Sequence, residues 1–247
     1  MKIIENNFGL RNIGFGVDDP NINGEHDLLR NIIKPNQVIF DVGANVGTWS
    51  SEVLAINEDA QLYAFEPVFM IFQDLNNKVK AKNFYCFNIG FSDKVEHKIM
   101  YYYPDVPAMS SVYRRSALIE KDKQIKPIET VMQTQTIPYF CLNNNIKEID
   151  LLKIDTEGSE YDVLYGSIDM LKEGKIKSIQ FEYGECYKDS RTTLMQIWRL
   201  LMEYDYSLYR IIKQGLIHIS FFESYLENYK YSNYFAVHNS IELKREK

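Results

Sequence analysis

The stretch Val38-Ile39-Phe40-Asp41-Val42-Gly43-Ala44-Asn45-Val46-Gly47-Thr48 constrains this chain more than any other. A short apolar run reads as a buried strand, two glycines bracket a tight turn, and Thr48 opens a helical pattern. Such a unit belongs to an open α/β sheet, where ligands sit beyond the carboxyl ends of the strands. Gly43 allows close backbone approach to a ligand, and Gly47 lets the helix pack near the strand. The rhythm then repeats. Strands are predicted at Gln61–Phe65, Phe84–Phe87, Ile149–Ile154 and Ile176–Phe181, then at Leu208–Ile212 and Tyr234–Val237, with a hairpin around Gly215. Helices are predicted at Thr48–Ile56, Val68–Val79, Glu160–Tyr165 and Thr192–Tyr204, the last with Leu194, Ile197, Trp198 and Leu201 in one apolar stripe. The expected fold is α/β, a seven-stranded, mostly parallel sheet with helices on both faces.

The turn spells G-x-N-x-G and lacks the G-x-G-x-x-G spacing that cradles a dinucleotide pyrophosphate. Asp41 at the strand end is a poor neighbour for a pyrophosphate and suits an ammonium group. Glu66, in Ala64-Phe65-Glu66-Pro67, falls about 20 residues beyond the turn, where an acid accepts hydrogen bonds from ribose hydroxyls. Asn88 and Gly90, after the third strand, read as an adenine-edge contact or equally well as a plain turn. The segment Asp150-Leu151-Leu152-Lys153-Ile154-Asp155-Thr156-Glu157-Gly158-Ser159-Glu160 brings further carboxylates to the same sheet edge, where they repel unless they meet a cation. For Glu160 a helix-capping role is the better reading, since carboxylates favour a helix N-terminus. An adenosyl site without a pyrophosphate, lined by acids, fits S-adenosyl-L-methionine. In that reading Asp41, Gly43, Asn45, Gly47, Glu66, Asn88 and Asp155 bind the cofactor.

These residues resemble the FkbM-type methyltransferases, a branch of the class I S-adenosylmethionine-dependent enzymes with a Rossmann-like fold. The resemblance rests on Phe40–Gly47, on Phe65-Glu66-Pro67, and above all on Asp150–Glu160, and it runs from about Val38 to Glu182. Glu182 matches the acid that ends strand five, and Ser110-Ser111 look similar to the family's loop serines. The chain departs from the pattern at Ile137-Pro138-Tyr139, where the family often carries a Leu-Asp pair. The resemblance implies O-methylation of a hydroxyl on a sugar or natural product. Methyl transfer to an alcohol needs in-line alignment and a carboxylate to take the proton. Asp155, Glu157 and Glu182 are the candidates, with Glu157 or Glu182 as base and Asp155 orienting cofactor or acceptor. No metal is expected, although Asp155 and Glu182 are the ligands a hard ion would use. The rival readings are an NAD-dependent Rossmann oxidoreductase, disfavoured by Asn45, and a non-catalytic adenosyl-binding module, disfavoured by the intact carboxylates.

Composition narrows the partners. The chain has 247 residues and a formal net charge of −6, so a nucleic-acid partner, which demands a basic face, is not expected. Cys86, Cys141 and Cys186 form no C-x-x-C pair, and His26, His97, His218 and His238 stand isolated. The first residues turn polar too soon for a signal peptide, and no apolar run approaches the roughly 18 residues of a membrane span, so a cytoplasmic protein is expected. Residues 1–35 read as an N-terminal helical extension, with a helix over His26–Ile33, and residues 36–240 as the methyltransferase domain. Residues 241–247 are a charged tail. Within the domain, 92–138 breaks the βα rhythm and is expected to form extra strands and a loop over the site. It holds Tyr101-Tyr102-Tyr103, read as core packing or as a platform for a sugar ring. It also holds a basic run (Arg114, Arg115, Lys121, Lys123, Lys126) that would draw a phosphorylated or nucleotide-sugar acceptor. The partner expected is a small-molecule or glycan acceptor; oligomeric state leaves no readable mark.

Overall fold

The computed structural model describes residues 2–5 and 13–243; part of the charged tail, 244–247, lies outside them. Twelve strands form two sheets among the described residues: β1 (Ile3–Glu5), β2 (Val38–Val42), β3 (Gln61–Phe65), β4 (Phe84–Phe87), β5 (Gly90–Phe91), β6 (Glu96–Tyr102), β7 (Ile128–Gln135), β8 (Leu151–Ile154), β9 (Ser178–Tyr183), β10 (Tyr206–Ile212), β11 (Gly215–His218) and β12 (Ser232–His238). The helices are α1 (Pro20–Asn23), α2 (Glu25–Ile32), α3 (Thr48–Ile56), α4 (Phe69–Lys78), α5 (Ser116–Lys121), α6 (Ile137–Asn143), α7 (Glu160–Tyr165), α8 (Ile168–Lys172), α9 (Cys186–Ser190) and α10 (Leu194–Glu203).

The main sheet runs β1-β11-β10-β12-β9-β8-β2-β3-β4. Its β9-β8-β2-β3-β4 half is parallel, while β12, β10 and β11 are antiparallel additions. Nine strands thus replace the seven expected. One addition is the hairpin partner β11. The other is β1, which pairs parallel to β11 and makes the N-terminal stretch more than helical. From β2 the chain steps outward to β3 and β4, then returns to β8 on the other side. Between β2 and β8 the strand order reverses, which opens a crevice at their carboxyl ends.

Residues alternate across the sheet. Phe40, Val42, Leu152 and Ile154 face one core layer together with α6, α7 and α10, while Ile39 and Leu151 face the layer under α2 and α3. Aromatic rings fill the first layer, where Phe65 stacks edge-on to Phe91 and Phe140 at 4.6 and 4.9 Å. Much of the aromatic excess is therefore core. The departure at Ile137-Pro138-Tyr139 starts α6, capped by Thr136, whose hydroxyl accepts from the Tyr139 amide. Segment 92–138 does form extra strands: β6 and β7 pair antiparallel, with β5 beside β7, as a separate three-stranded sheet.

Candidate active site

At the crevice, the same face of three neighbouring strands carries polar residues in register. Asp41 on β2 pairs with Lys153 on β8, which pairs with Gln180 on β9. All three are buried. The Ser50 hydroxyl of α3 donates to Asp41 at 2.6 Å, Lys153 Nζ lies 3.7 Å from Asp41 and 3.0 Å from Asp155, and the Gln180 amide donates to Glu25 of α2 at 2.6 Å. Burial opposes the charge on Lys153, but Asp155, Asp41 and Glu25 together outweigh it, so its pKa is raised and it stays an ammonium. Burial also raises Asp41.

Two residues further along these strands, Gly43, Asp155 and Glu182 emerge at the wall of a cavity of about 320 Å³. Its other walls are Glu66 and Pro67, the β4–β5 junction at Ile89 and Gly90, and a cover from the 92–138 segment that includes Pro107, Met109, Ser110 and Val112. A second, smaller cavity adjoins the first, shares Asp18, Gly43, Asn45, Asp155, Glu182 and Tyr231 with it, and reaches His26, Trp49 and Glu52.

The turn is built tightly. Gly43 has φ +83°, and a Cβ there would stand 1.8 Å from the Asp155 carbonyl oxygen, so only glycine lets β2 and the end of β8 close on each other. Asn45 takes a left-handed φ of +48°, and its amide donates to Glu66 at 3.0 Å. The Val68 amide donates to the other Glu66 oxygen at 2.8 Å. Burial pushes Glu66 up to about 7 despite these bonds.

Three of the expected cofactor residues do not line the first cavity. Asp41 is fully buried beneath the turn, with one oxygen accepting from Ser50 and the other 3.7 Å from Lys153 Nζ. Gly47 caps α3 with φ +79°, and a Cβ there would meet Leu75 and Val79 of α4 at 2.6 Å, so it serves helix packing and does not line the cavity. Asn88 gives its side-chain amide to the backbone carbonyls of Glu66 and Pro67, both at 2.9 Å, while Ile89 and Gly90 form the wall beside it.

The carboxylates of Asp155, Glu157 and Glu182 do converge. One oxygen from each lies within 4.8 Å of the others, a spacing a cation could bridge. Glu157 sits at a left-handed φ of +55°, a strained conformation for a residue with a side chain. Its carboxylate is bound by the Arg115 guanidinium, whose Nε lies 3.5 Å from Asp189. Burial pushes Glu157 up to about 7, with Arg115 pulling the other way. Glu182 is raised well above the ordinary carboxylate range, first by burial and then by Asp155 and Glu157. Glu160 turns inward, accepting from the Thr156 amide and hydroxyl and the Gly158 amide at 2.8 to 3.0 Å, and so braces the turn ahead of α7 in place of the helix cap expected of it.

Arg115 and Lys153 were the residues hardest to find. Arg115 lies in the basic run, yet it is buried, with its amide donating to the Tyr103 hydroxyl. Tyr103 is accordingly core and not a sugar platform. Lys153 sits at the one polar position of a four-residue apolar strand, and that polarity was the available signal. Ser111 donates to the Glu157 carbonyl at 2.8 Å, and Ser110 lines the cavity.

A crevice at a strand-order reversal, a glycine turn, an acid beside that turn and a cavity rimmed by carboxylates define a nucleoside-binding α/β enzyme of the class I methyltransferase type. The family model described as "Methyltransferase FkbM domain" matches residues 41–208, and the chain belongs to that family, a branch of the S-adenosylmethionine-dependent methyltransferases. Among curated relatives, the 2-O-methyltransferase NoeI of Sinorhizobium fredii is 24% identical over 187 residues, covering 71% of this chain and 76% of NoeI. AMB antimetabolite synthetase AmbE of Pseudomonas aeruginosa is 26% identical over 181 residues, 61% of this chain but 8% of AmbE. Methyltransferase 1 of Beauveria bassiana is 28% identical over 149 residues, 52% of this chain and 57% of that protein. The chain thus spans well under two thirds of the latter two. Among solved structures, precorrin-6y C5,15-methyltransferase from Geobacter metallireducens aligns with a TM-score of 0.49 at 10% identity, covering 92% of this chain and 98% of that one.

The site's chemistry fits S-adenosylmethionine. Among the described residues, the first cavity is lined by five carboxylates and no Lys, Arg or His, a donor set suited to a ligand with a sulfonium and an ammonium. Gly43 lets the turn pack against the Asp155 backbone, which sets Asp155 at the same wall.

Proposed function

We propose that the protein transfers a methyl group from S-adenosylmethionine to a hydroxyl of a sugar, a glycan precursor or a related small molecule. The observation that carries this reading is the convergence of Asp155, Glu157 and Glu182 at the cavity that Glu66 and Gly43 also line. When bound, the cofactor supplies an electrophilic methyl carbon next to a positive sulfur. The chain supplies the rest. Glu66 accepts from ribose hydroxyls while Asn45 and Val68 hold its orientation. Asn45 and Gly43 provide the turn's backbone wall, and Asp41 and Asn88 act indirectly, through Lys153 and through the Glu66 backbone.

For the acceptor proton, Glu182 is the better base. Glu157 is occupied by Arg115, whereas Glu182 faces the cavity without a cationic partner of its own among the described residues. Asp155, held by Lys153, lines the cavity and orients cofactor or acceptor. NoeI, named as a 2-O-methyltransferase, supports oxygen as the methylated atom. The test is a transfer assay with isotope-labelled S-adenosylmethionine against a panel of glycosides, run beside thermal-shift measurements with S-adenosylhomocysteine, NAD and ATP. Label on a sugar oxygen and stabilisation by S-adenosylhomocysteine are expected. Stabilisation by NAD alone would sink the proposal.

A further inference from the structure

The two joined cavities differ from most sites that receive phosphorylated metabolites in how their charges are already spent. The first is walled by Asp18, Glu66, Asp155, Glu157 and Glu182 without a cationic side chain among the described residues. The second brings Glu25 and Glu52, with two basic groups, His26 and Lys153. Neither basic group is free: His26 Nε2 lies 2.7 Å from Glu52, and Lys153 is shared between Asp155 and Asp41. Behind the wall, Arg115 is engaged by Glu157 and Asp189. Arg114, the other arginine of the basic run, is exposed and lines neither cavity.

We infer that the acceptor site admits uncharged or amino-bearing polyols and rejects phosphorylated or carboxylated ones. The inference rests on the proposed transfer to a hydroxyl and specifies the acceptor class at that same site. With Glu66 and Asp155 given to the cofactor, a phosphate would have to enter beside Asp18, Glu157 and Glu182, with no unpaired guanidinium or ammonium lining the cavities among the described residues to receive it, and like charges in a partly desolvated site cost affinity. An amine or hydroxyl meets the opposite situation, since Asp18 and Glu182 offer acceptor oxygens and Tyr231 lines both cavities. Specificity of this kind comes from the repulsive element, and it reverses the expectation that the Arg114–Lys126 run draws a nucleotide sugar.

The protein loaded with S-adenosylhomocysteine can be titrated, with NMR readout, with four ligands on one ring: methyl glucoside, glucosamine, a glucose phosphate and glucuronate. The phosphate and the uronate are expected to bind at least about tenfold more weakly than glucosamine. A gap smaller than that overturns the inference. In Asp18→Lys, which adds a free cation at the shared rim, the gap is expected to shrink severalfold, and an unchanged gap would show that charge is not its cause. Methyl transfer to none of the four, with S-adenosylhomocysteine still bound, counts against the proposed reaction and leaves the charge result standing on the titration.

Discussion

Glu182 and Glu66 separate cleanly in what their loss should do. In Glu182→Gln the shape of the wall is kept and the base is lost, so turnover is expected to fall about 10²- to 10⁴-fold. Affinity for S-adenosylhomocysteine should stay within a few-fold, and near-normal turnover would remove Glu182 from the mechanism. Glu66→Gln turns a charge-assisted acceptor into a neutral amide. It is expected to weaken S-adenosylhomocysteine binding by about 1.5–3 kcal/mol, read by calorimetry, with kcat at saturating cofactor little changed. In the sequence Glu66 stood out by its offset of about 20 residues from the glycine turn, whereas Glu182 was marked only by its match to the family pattern. Asp41 shows what position along a strand leaves open. It gives the face and the end, but the buried lysine in register on the neighbouring strand decides whether an acid points at the cavity or is paired beneath it.

Among the elements, the glycine turn and the strand β8 carry the most specific expectations. Gly43→Ala forces a left-handed residue and a Cβ against the Asp155 carbonyl, and is expected to cost about 2–5 kcal/mol in urea denaturation, well beyond an ordinary surface change. Lys153→Met leaves Asp41 buried beside no cation and should cost about 3–5 kcal/mol, while the double variant with Asp41→Asn recovers part of the loss. With Asp41→Asn also measured alone, a loss in the double variant equal to the sum of the two single losses would show that the pair is not coupled. Strands β2, β3, β4 and helix α3 were readable almost residue for residue, since alternation and turn chemistry are local. The short helices α8 and α9 and strand β1 were not. They exist because neighbouring elements offer them unpaired backbone or an apolar seat, and β1 in particular needs the edge of β11, more than 200 residues away in the chain.

For the whole molecule, the sheet edge concentrates carboxyls whose pKa values folding has raised. Glu66, Glu157 and Glu160 each move from 4.5 to about 7, with burial the leading cause. A carboxyl raised in the folded state adds stability below its unfolded pKa and loses it as pH rises through the folded one. The ligand-free protein is therefore expected to melt several degrees lower at about pH 8 than at about pH 5. S-adenosylmethionine, which carries a sulfonium, should narrow that difference more than S-adenosylhomocysteine does; a melting temperature flat across the window with all three samples would contradict this. The acid excess of the composition pointed to this edge, but only the folded arrangement tells which acids share it. The covering segment also has a bearing on engineering. Ser111 is bonded to the Glu157 carbonyl, Arg115 to its side chain, and Tyr103 to the Arg115 amide. The cover of the cavity and its acidic wall are thus held as one piece. A chimera that imports residues 92–135 from a relative should work only when the imported segment carries a cationic partner for Glu157 in place of Arg115, and a cover without one is expected to release Glu157 from its strained pose before it alters the choice of acceptor.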